Sequence, residues 1–504
     1  MREEHKGSTP GLIVERNQLT KVNTFPSVEF TIPPSDPPTE RVISKCHSHQ
    51  TPTADALAQT EKSDALEGGQ HPSAALRDEE ALSVTTTNQG EVSYPEGGLE
   101  AWLVVLGSFL GAFIAFGMMN TIGIFHSYLG ENQLKDYSES TVGWIFSVFV
   151  FLSFFCGIQI GPIFDAHGPK LLVATGSALM VATSFLLGVC TQYWHFLIVF
   201  GILGGTGASL IFTPAFGAIG HFFLEKRANA TGIAAAGGSL GGIIFPLMLQ
   251  DLLPRVGFAW STRIMGFIFL FCGIIAVSLV KSRLPPKRGQ SVMPDLLILR
   301  HRGYLLLTLG TYFMEWALFV PITYLTTFAT STGTLSSSFS YQLIAIFNAG
   351  SCLGRWAPGY LADRLGRFNS MIATLALCAA TSVTLWLPTA VLTPTPENAP
   401  TIKALIIVFA VTFGFASGSN ISLTPVCVGQ LCETNQYGRY YATCYTIVSF
   451  GTLTGIPIAG ALIQAAGGSY WGVVVWTFVC YLVSLGCFLW SRACQVGWKL
   501  GEKY

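Results

Sequence analysis

Charged side chains are scarce in the body of this 504-residue sequence, and the few that interrupt its apolar runs are where chemistry can be done. Arg355 lies within the apolar run 341–361. Its guanidinium keeps its charge and presents a planar fork to a carboxylate. At that depth it must meet an anion, a neighbouring acid or backbone carbonyls. Glu315, in the stretch Tyr312 to Pro321, is the one acid deep in an apolar run. A carboxyl there can take up a proton or serve as the partner of Arg355. Asn120, Asn348 and Asn420 offer neutral donors and acceptors to a ligand, with hydrogen bonding between helices as the plainer use of each.

The runs that carry these residues exclude an ordinary soluble domain. Half of the residues are hydrophobic and 11% are charged, against about 25% charged in soluble proteins, and mean hydropathy is +0.50. Twelve runs approach the length that a helix needs to cross a bilayer: 101–125, 143–163, 171–190, 196–219, 230–250, 263–280, 303–328, 341–361, 371–391, 404–427, 441–464 and 471–491. The expected fold is therefore an all-α membrane protein of twelve transmembrane helices, with the lipid bilayer as its surroundings.

The halves of this array repeat each other. Gly161-Pro-Ile-Phe-Asp165-Ala-His-Gly168-Pro-Lys170 matches Gly359-Tyr-Leu-Ala-Asp363-Arg364-Leu-Gly366-Arg367 at an offset of 198. Gly207 to Pro214 matches Gly418 to Pro425 at 211, and Gly238 to Gly242 matches Gly451 to Gly455 at 213. Three matches in one order imply two parallel six-helix repeats, the duplication expected of a secondary transporter with its site at the midplane between the halves. Asp165, Lys170, Asp363, Arg364 and Arg367 then form candidate gates, in which carboxylates accept bonds from helix N-termini or neighbouring bases. The expected divisions are a disordered cytosolic tail at 1–97, a first half at 98–280, a basic linker at 281–302, a second half at 303–492 and a cytosolic end at 493–504.

Charge is unevenly placed. Residues 1–97 hold 8 Lys and Arg against 15 Asp and Glu, and residues 98–504 hold 20 against 13. The bases of the body collect on one side of the expected array: Lys170, Lys226, Arg227, six residues of the linker that include Lys287 and Arg288, Arg364, Arg367, Arg439, Arg492, Lys499 and Lys503. By the preference of Lys and Arg for the cytosolic face, both termini are expected in the cytosol, with the plasma membrane as the first expectation and a vacuolar or other internal membrane as the second. No concentrated basic face points to nucleic acid.

The duplicated loops resemble the signature of the major facilitator superfamily. Two further segments resemble its monocarboxylate transporter family in fungi. These are Glu96-Gly97-Gly98-Leu99-Glu100-Ala101-Trp102 at the entry to the first span, and His221-Phe-Phe-Leu-Glu-Lys226-Arg227-Ala-Asn-Ala-Thr-Gly232 with Gly237-Gly238-Ser239. The resemblance implies a substrate-binding Arg in the eighth span, and Arg355 occupies that place. Where proton-coupled members carry an Asp and a Lys, this chain has Ser351 and Asn120.

The function expected is secondary-active transport of a small organic solute, a monocarboxylate or other organic anion, by alternating access, with protons as a possible coupling ion and no cofactor. Efflux of a fungal secondary metabolite is the alternative within transport, and a non-transporting receptor the alternative outside it. The paired Asp165 and Asp363 loops speak against a receptor, because sensing alone needs no paired gates. An enzyme is not expected: there is no Walker A loop, and no nucleophile elbow, H-E-x-x-H or aligned nucleophile and base stands at a membrane face. The twelve cysteines include no C-x-x-C pair and read as apolar packing residues.

Overall fold

The computed structural model describes residues 93–284, 293, 295–499 and 502–504. The tail expected at 1–97 lies outside the described residues except for its last five positions, and Lys287 and Arg288 of the expected linker also lie outside them.

Among the described residues the secondary structure is helical, as a backbone in hydrocarbon must be to satisfy its own N–H and C=O groups. The helices are α1 (Gly98–Glu131), α2 (Ser140–His167), α3 (Lys170–Leu187), α4 (Tyr193–Ile219), α5 (Arg227–Leu279), α6 (Arg302–Ser331), α7 (Ser337–Leu365), α8 (Arg367–Val391), α9 (Ala399–Val428), α10 (Tyr437–Ala465) and α11 (Trp471–Val496). Among the described residues ten helices are long and apolar enough to cross a membrane. Ser337–Leu365 is long enough but is made more polar by Gln342, Asn348 and Arg355. The 53-residue α5 breaks at Gly257, whose φ of 76° only glycine adopts readily, and so makes two crossings, the fifth and the sixth. The architecture is thus the twelve-crossing, two-half bundle that the repeat implies.

Side chains start and stop these helices. The hydroxyls of Ser138 and Ser336 accept from the N–H groups of Thr141 and Phe339, at 3.2 and 3.3 Å, ahead of α2 and α7. Both duplicated loops end their helix at a glycine in the left-handed region, Gly168 at φ 81° and Gly366 at φ 106°. The outer surface is apolar: Leu171, Phe271 and Trp490 are 75%, 67% and 62% exposed, which suits lipid and not water.

Two pairs of helices make most of the contact between the halves. α5 packs on α7, and α2 packs on α10. Glycines let the backbones meet. A Cβ at Gly161 would stand 2.4 Å from the Gly438 oxygen, one at Gly232 would stand 2.4 Å from the Arg355 oxygen, and one at Gly359 would stand 2.6 Å from the Ala228 oxygen.

Candidate functional site

The loop ends of the two seams are built alike. Asp165, near the end of α2, accepts the N–H groups of Gly438 (3.0 Å) and Arg439 (2.8 Å), the second and third residues of α10. Asp363, near the end of α7, accepts those of Ala228 (3.0 Å) and Asn229 (2.8 Å), the second and third residues of α5. Each carboxylate satisfies orphan donors at the positive end of a helix in the opposite half.

Arg367 donates to the Leu224 oxygen, also across the halves. Arg364 lies over the Tyr360 ring at 4.3 Å, and Lys170 is exposed on the first turn of α3.

Two residues of this network were visible in the sequence without their roles. Glu96 accepts the N–H groups of Leu224 (2.6 Å), Glu225 (2.8 Å) and Lys226 (3.0 Å), so a carboxylate ahead of α1 ties down the turn that leads into α5. Arg227 is buried. It donates to the oxygens of Phe223 (3.0 Å), Gly220 (2.9 Å) and, across the halves, Gly429 (3.2 Å), with its guanidinium 5.3 Å from the Tyr437 ring. The motif around Glu96 marked that acid; nothing in its spacing marked the loop 128 to 130 residues away that it caps.

Further along the α5–α7 seam lie most of the expected ligand-binding residues. Arg355 Nη1 donates to the Ala235 oxygen at 2.6 Å, while its Nε is buried without a partner. The Phe116 ring centroid is 5.6 Å from its guanidinium. Ser239 donates to Ser351 at 3.1 Å. Gly237 to Gly241 has the G-x-S-x-G spacing, but it lies inside α5 and not at a strand-to-helix elbow. Asn348 donates to Asn120 Oδ1 at 3.2 Å, joining α7 to α1.

Asn420 stands apart. It is buried inside the second half, where its Nδ2 donates to the Tyr481 hydroxyl at 3.3 Å. Glu315 is fully buried on α6, and neither carboxylate oxygen has a hydrogen-bond partner. Among the described residues it does not form an ion pair with Arg355.

Aromatic rings fill the other seam. Phe154 of α2 stacks on Tyr445 of α10 at 5.3 Å, and Phe212 of α4 lies 6.3 and 6.1 Å from Tyr441 and Tyr445. Phe151 meets Phe450 at 5.6 Å. From the paired aspartates to Asn120–Asn348 on one seam and Phe151–Phe450 on the other, the halves are packed together, so the side bearing the duplicated loops is closed.

Two repeated helical halves, joined at the loop side by reciprocal carboxylate bonds and holding a cation at their junction, define a multi-pass membrane transporter. The family model described as Major Facilitator Superfamily matches residues 102–396, and the chain belongs to that family. It is similar to the riboflavin transporter MCH5 of Saccharomyces cerevisiae, with 38% identity covering 82% of each chain. It is also similar to the aspyridones efflux protein apdF of Emericella nidulans, with 36% identity over 74% of each chain. The fujikurins efflux protein of Gibberella fujikuroi is 31% identical over 84% of this chain and 88% of that one. Among solved structures, the fold matches that of the transporter FucP in its outward conformation, with a TM-score of 0.60 and 16% identity over 77% of this chain and 98% of that one.

Proposed function

We propose that the chain moves a small organic anion across its membrane by alternating access, and that Arg355 is the group that binds the anion. The observation that carries this reading is the surroundings of Arg355. Its guanidinium is buried at the junction of the halves, bonded through Nη1 to one backbone oxygen, with no acid in ion-pairing distance among the described residues. A permanent cation without a counter-ion is costly in such a place, and an anionic cargo would supply the missing charge. Ser351, Asn348 and Asn120 lie on the same seam and would add neutral hydrogen bonds, and Asp165 and Asp363 with Arg367 would hold the loop side shut between cycles.

The Glu96–Trp102 and His221–Gly232 segments support placement in the monocarboxylate porter branch. The gathering of Lys and Arg on the loop side supports cytosolic termini, and we place the protein in the plasma membrane.

A second reading is export of an apolar or amphipathic metabolite. The rings of Phe116, Phe154, Phe212 and Tyr445 at the junction favour it, as do the efflux proteins among the relatives.

Comparison of metabolites inside and outside cells with and without the gene tests both. Redistribution of a carboxylate supports the anion reading. Redistribution of a neutral polycyclic product alone supports the second.

A further inference from the structure

Arg492, near the end of α11, is a buried cation inside the second half, 3% exposed. Its Nε donates to Asn369 Oδ1 at 2.6 Å, and its Nη2 donates to the backbone oxygens of Lys499 at 2.7 Å and Glu502 at 2.9 Å. Among the described residues no acid stands in ion-pairing distance of it. Burying a cation is costly, and here neutral oxygens alone offset that cost. What the cation holds is the chain beyond α11, folded back onto the start of α8.

That contact is made by backbone and side chain together. The Tyr504 oxygen accepts the N–H groups of Phe368 (2.9 Å) and Asn369 (3.3 Å), the second and third residues of α8. Asn369 Nδ2 donates to the Glu502 oxygen at 3.0 Å. The Tyr504 ring lies 5.2 Å from that of Phe368, which is fully buried. A Cβ at Gly366 would stand 2.5 Å from the Tyr504 oxygen, so backbone meets backbone there. Asp165 and Asp363 cap α10 and α5 at the same two positions, but from the opposite half; Tyr504 caps α8 from its own half. Among the described residues the first duplicated loop carries no such cover: the nearest atom to a Cβ at Gly168 would be the Ser282 Cβ at 3.7 Å, an ordinary contact.

We propose that Lys499 and residues 502–504 form a clasp that fixes the second duplicated loop in the shape that closes the loop side, and that release of the clasp favours opening; the proposal rests on the alternating-access reading. Gly366 turns the chain between the two groups of this loop that reach the first half. Asp363, ahead of it, accepts the N–H groups of Ala228 and Asn229, and Arg367, next to it, donates to the Leu224 oxygen. Both contacts depend on where this turn is held. Tyr504 grips the turn at Gly366, Phe368 and Asn369, and Arg492 anchors the grip in the bundle. Without the clasp, α8 begins with orphan N–H groups and the turn loses its backing. The bonds from Asp363 and Arg367 to the first half then form less often, and the closed form loses stability relative to an open form that does not make them.

The test uses substrate-free protein in nanodiscs and reads clasp and gate separately. Hydrogen exchange at the amides of Phe368 and Asn369 reports the clasp. Genetically encoded spin labels at the exposed positions His167 and Glu433, on loop-side segments of opposite halves, report separation of the halves. Tyr504→Ala removes the ring from Phe368 and is expected to speed that exchange about threefold or more, as for loss of one aromatic pair, and to raise the ratio of separated to closed forms by about threefold or more. Arg492→Gln, which breaks the bonds to Lys499 and Glu502, is expected to do the same. Tyr504→Phe keeps the ring and is expected to match wild type in both measurements. Unchanged exchange in both disrupting variants overturns the proposal, and so does faster exchange without separation, since the segment would then cover the loop without setting the gate. If Arg492→Gln does not insert, Tyr504→Ala alone decides. Asp363→Asn, measured alongside, tells this failure from that of the wider reading: separation in Asp363→Asn with none in the clasp variants overturns the clasp alone, and separation in none of them overturns both.

Discussion

Asp165 and Asp363 are reciprocal. Each reaches from the end of one helix to the second and third N–H groups of a helix in the opposite half, at the same pair of distances, 3.0 and 2.8 Å. Hydrogen bonds to a charged acceptor contribute about 1.5–3 kcal/mol, so Asp363→Asn should shift the balance toward the open loop side by about tenfold or more. Labelling of loop-side positions by a thiol reagent in inside-out vesicles measures it. Turnover should fall more than substrate affinity. The same accessibility as wild type, in properly inserted protein, would show that the bonds do not hold the gate.

The glycine seams make a steric prediction. Gly161→Ala places a carbon 2.4 Å from the Gly438 oxygen, where backbone meets backbone and neither can rotate away. Overpacking of this kind costs about 1–3 kcal/mol, and the cost falls on the closed state alone. The variant should be well expressed but trapped with its loop side open. Gly123→Ala, which has no heavy atom within 4 Å of its new Cβ, is the control and should behave as wild type.

The architecture could be read from the sequence because its signals are local or periodic. Apolar runs mark the crossings, and the duplicated loops mark the repeat. What those residues touch is another matter. Asp165 could be recognised as a candidate gate acid, but its donors lie 273 and 274 residues further on, in backbone N–H groups that leave no trace in side-chain identity. Arg355 stood out as a cation in an apolar run. Its partner, the Ala235 oxygen, could not, since every residue carries a carbonyl. Asn420 shows the converse: its residue type suits a ligand and a bond between helices alike, and α9 is polar and small over more than one face around it, so type alone could not place it in the interior, where it meets Tyr481.

Glu96 offers a separate handle on the turn before α5. Its carboxylate accepts three consecutive N–H groups, and Glu96→Gln keeps the shape while removing the charge. Backbone amides of residues 222–226 should then exchange hydrogen for deuterium about tenfold faster or more, as expected for loss of about 1.5 kcal/mol or more of local stability. Unchanged protection would mean that the turn holds itself.

His221, in the turn after α4, gives a pH prediction. Burial, with the neighbouring Arg227 charge, pushes its imidazole down from 6.5 to about 4. The folded protein therefore keeps it neutral while the unfolded chain takes up a proton. The stability it contributes is full above pH 6.5 and is lost as pH falls from 6.5 toward about 4. His221→Gln should flatten the acid limb of a thermal-stability profile in that window, and an unchanged limb would place the acid sensitivity elsewhere.

Whether Arg355 holds an organic anion is decided by direct binding to purified protein. A panel of labelled carboxylates is titrated against wild-type protein, Arg355→Lys and Arg355→Ala. Wild type should bind one of these carboxylates, Arg355→Lys should bind it about tenfold or more weaker as the planar fork gives way to a point charge, and folded Arg355→Ala should show no detectable binding. Undiminished binding of that carboxylate by Arg355→Ala would contradict it.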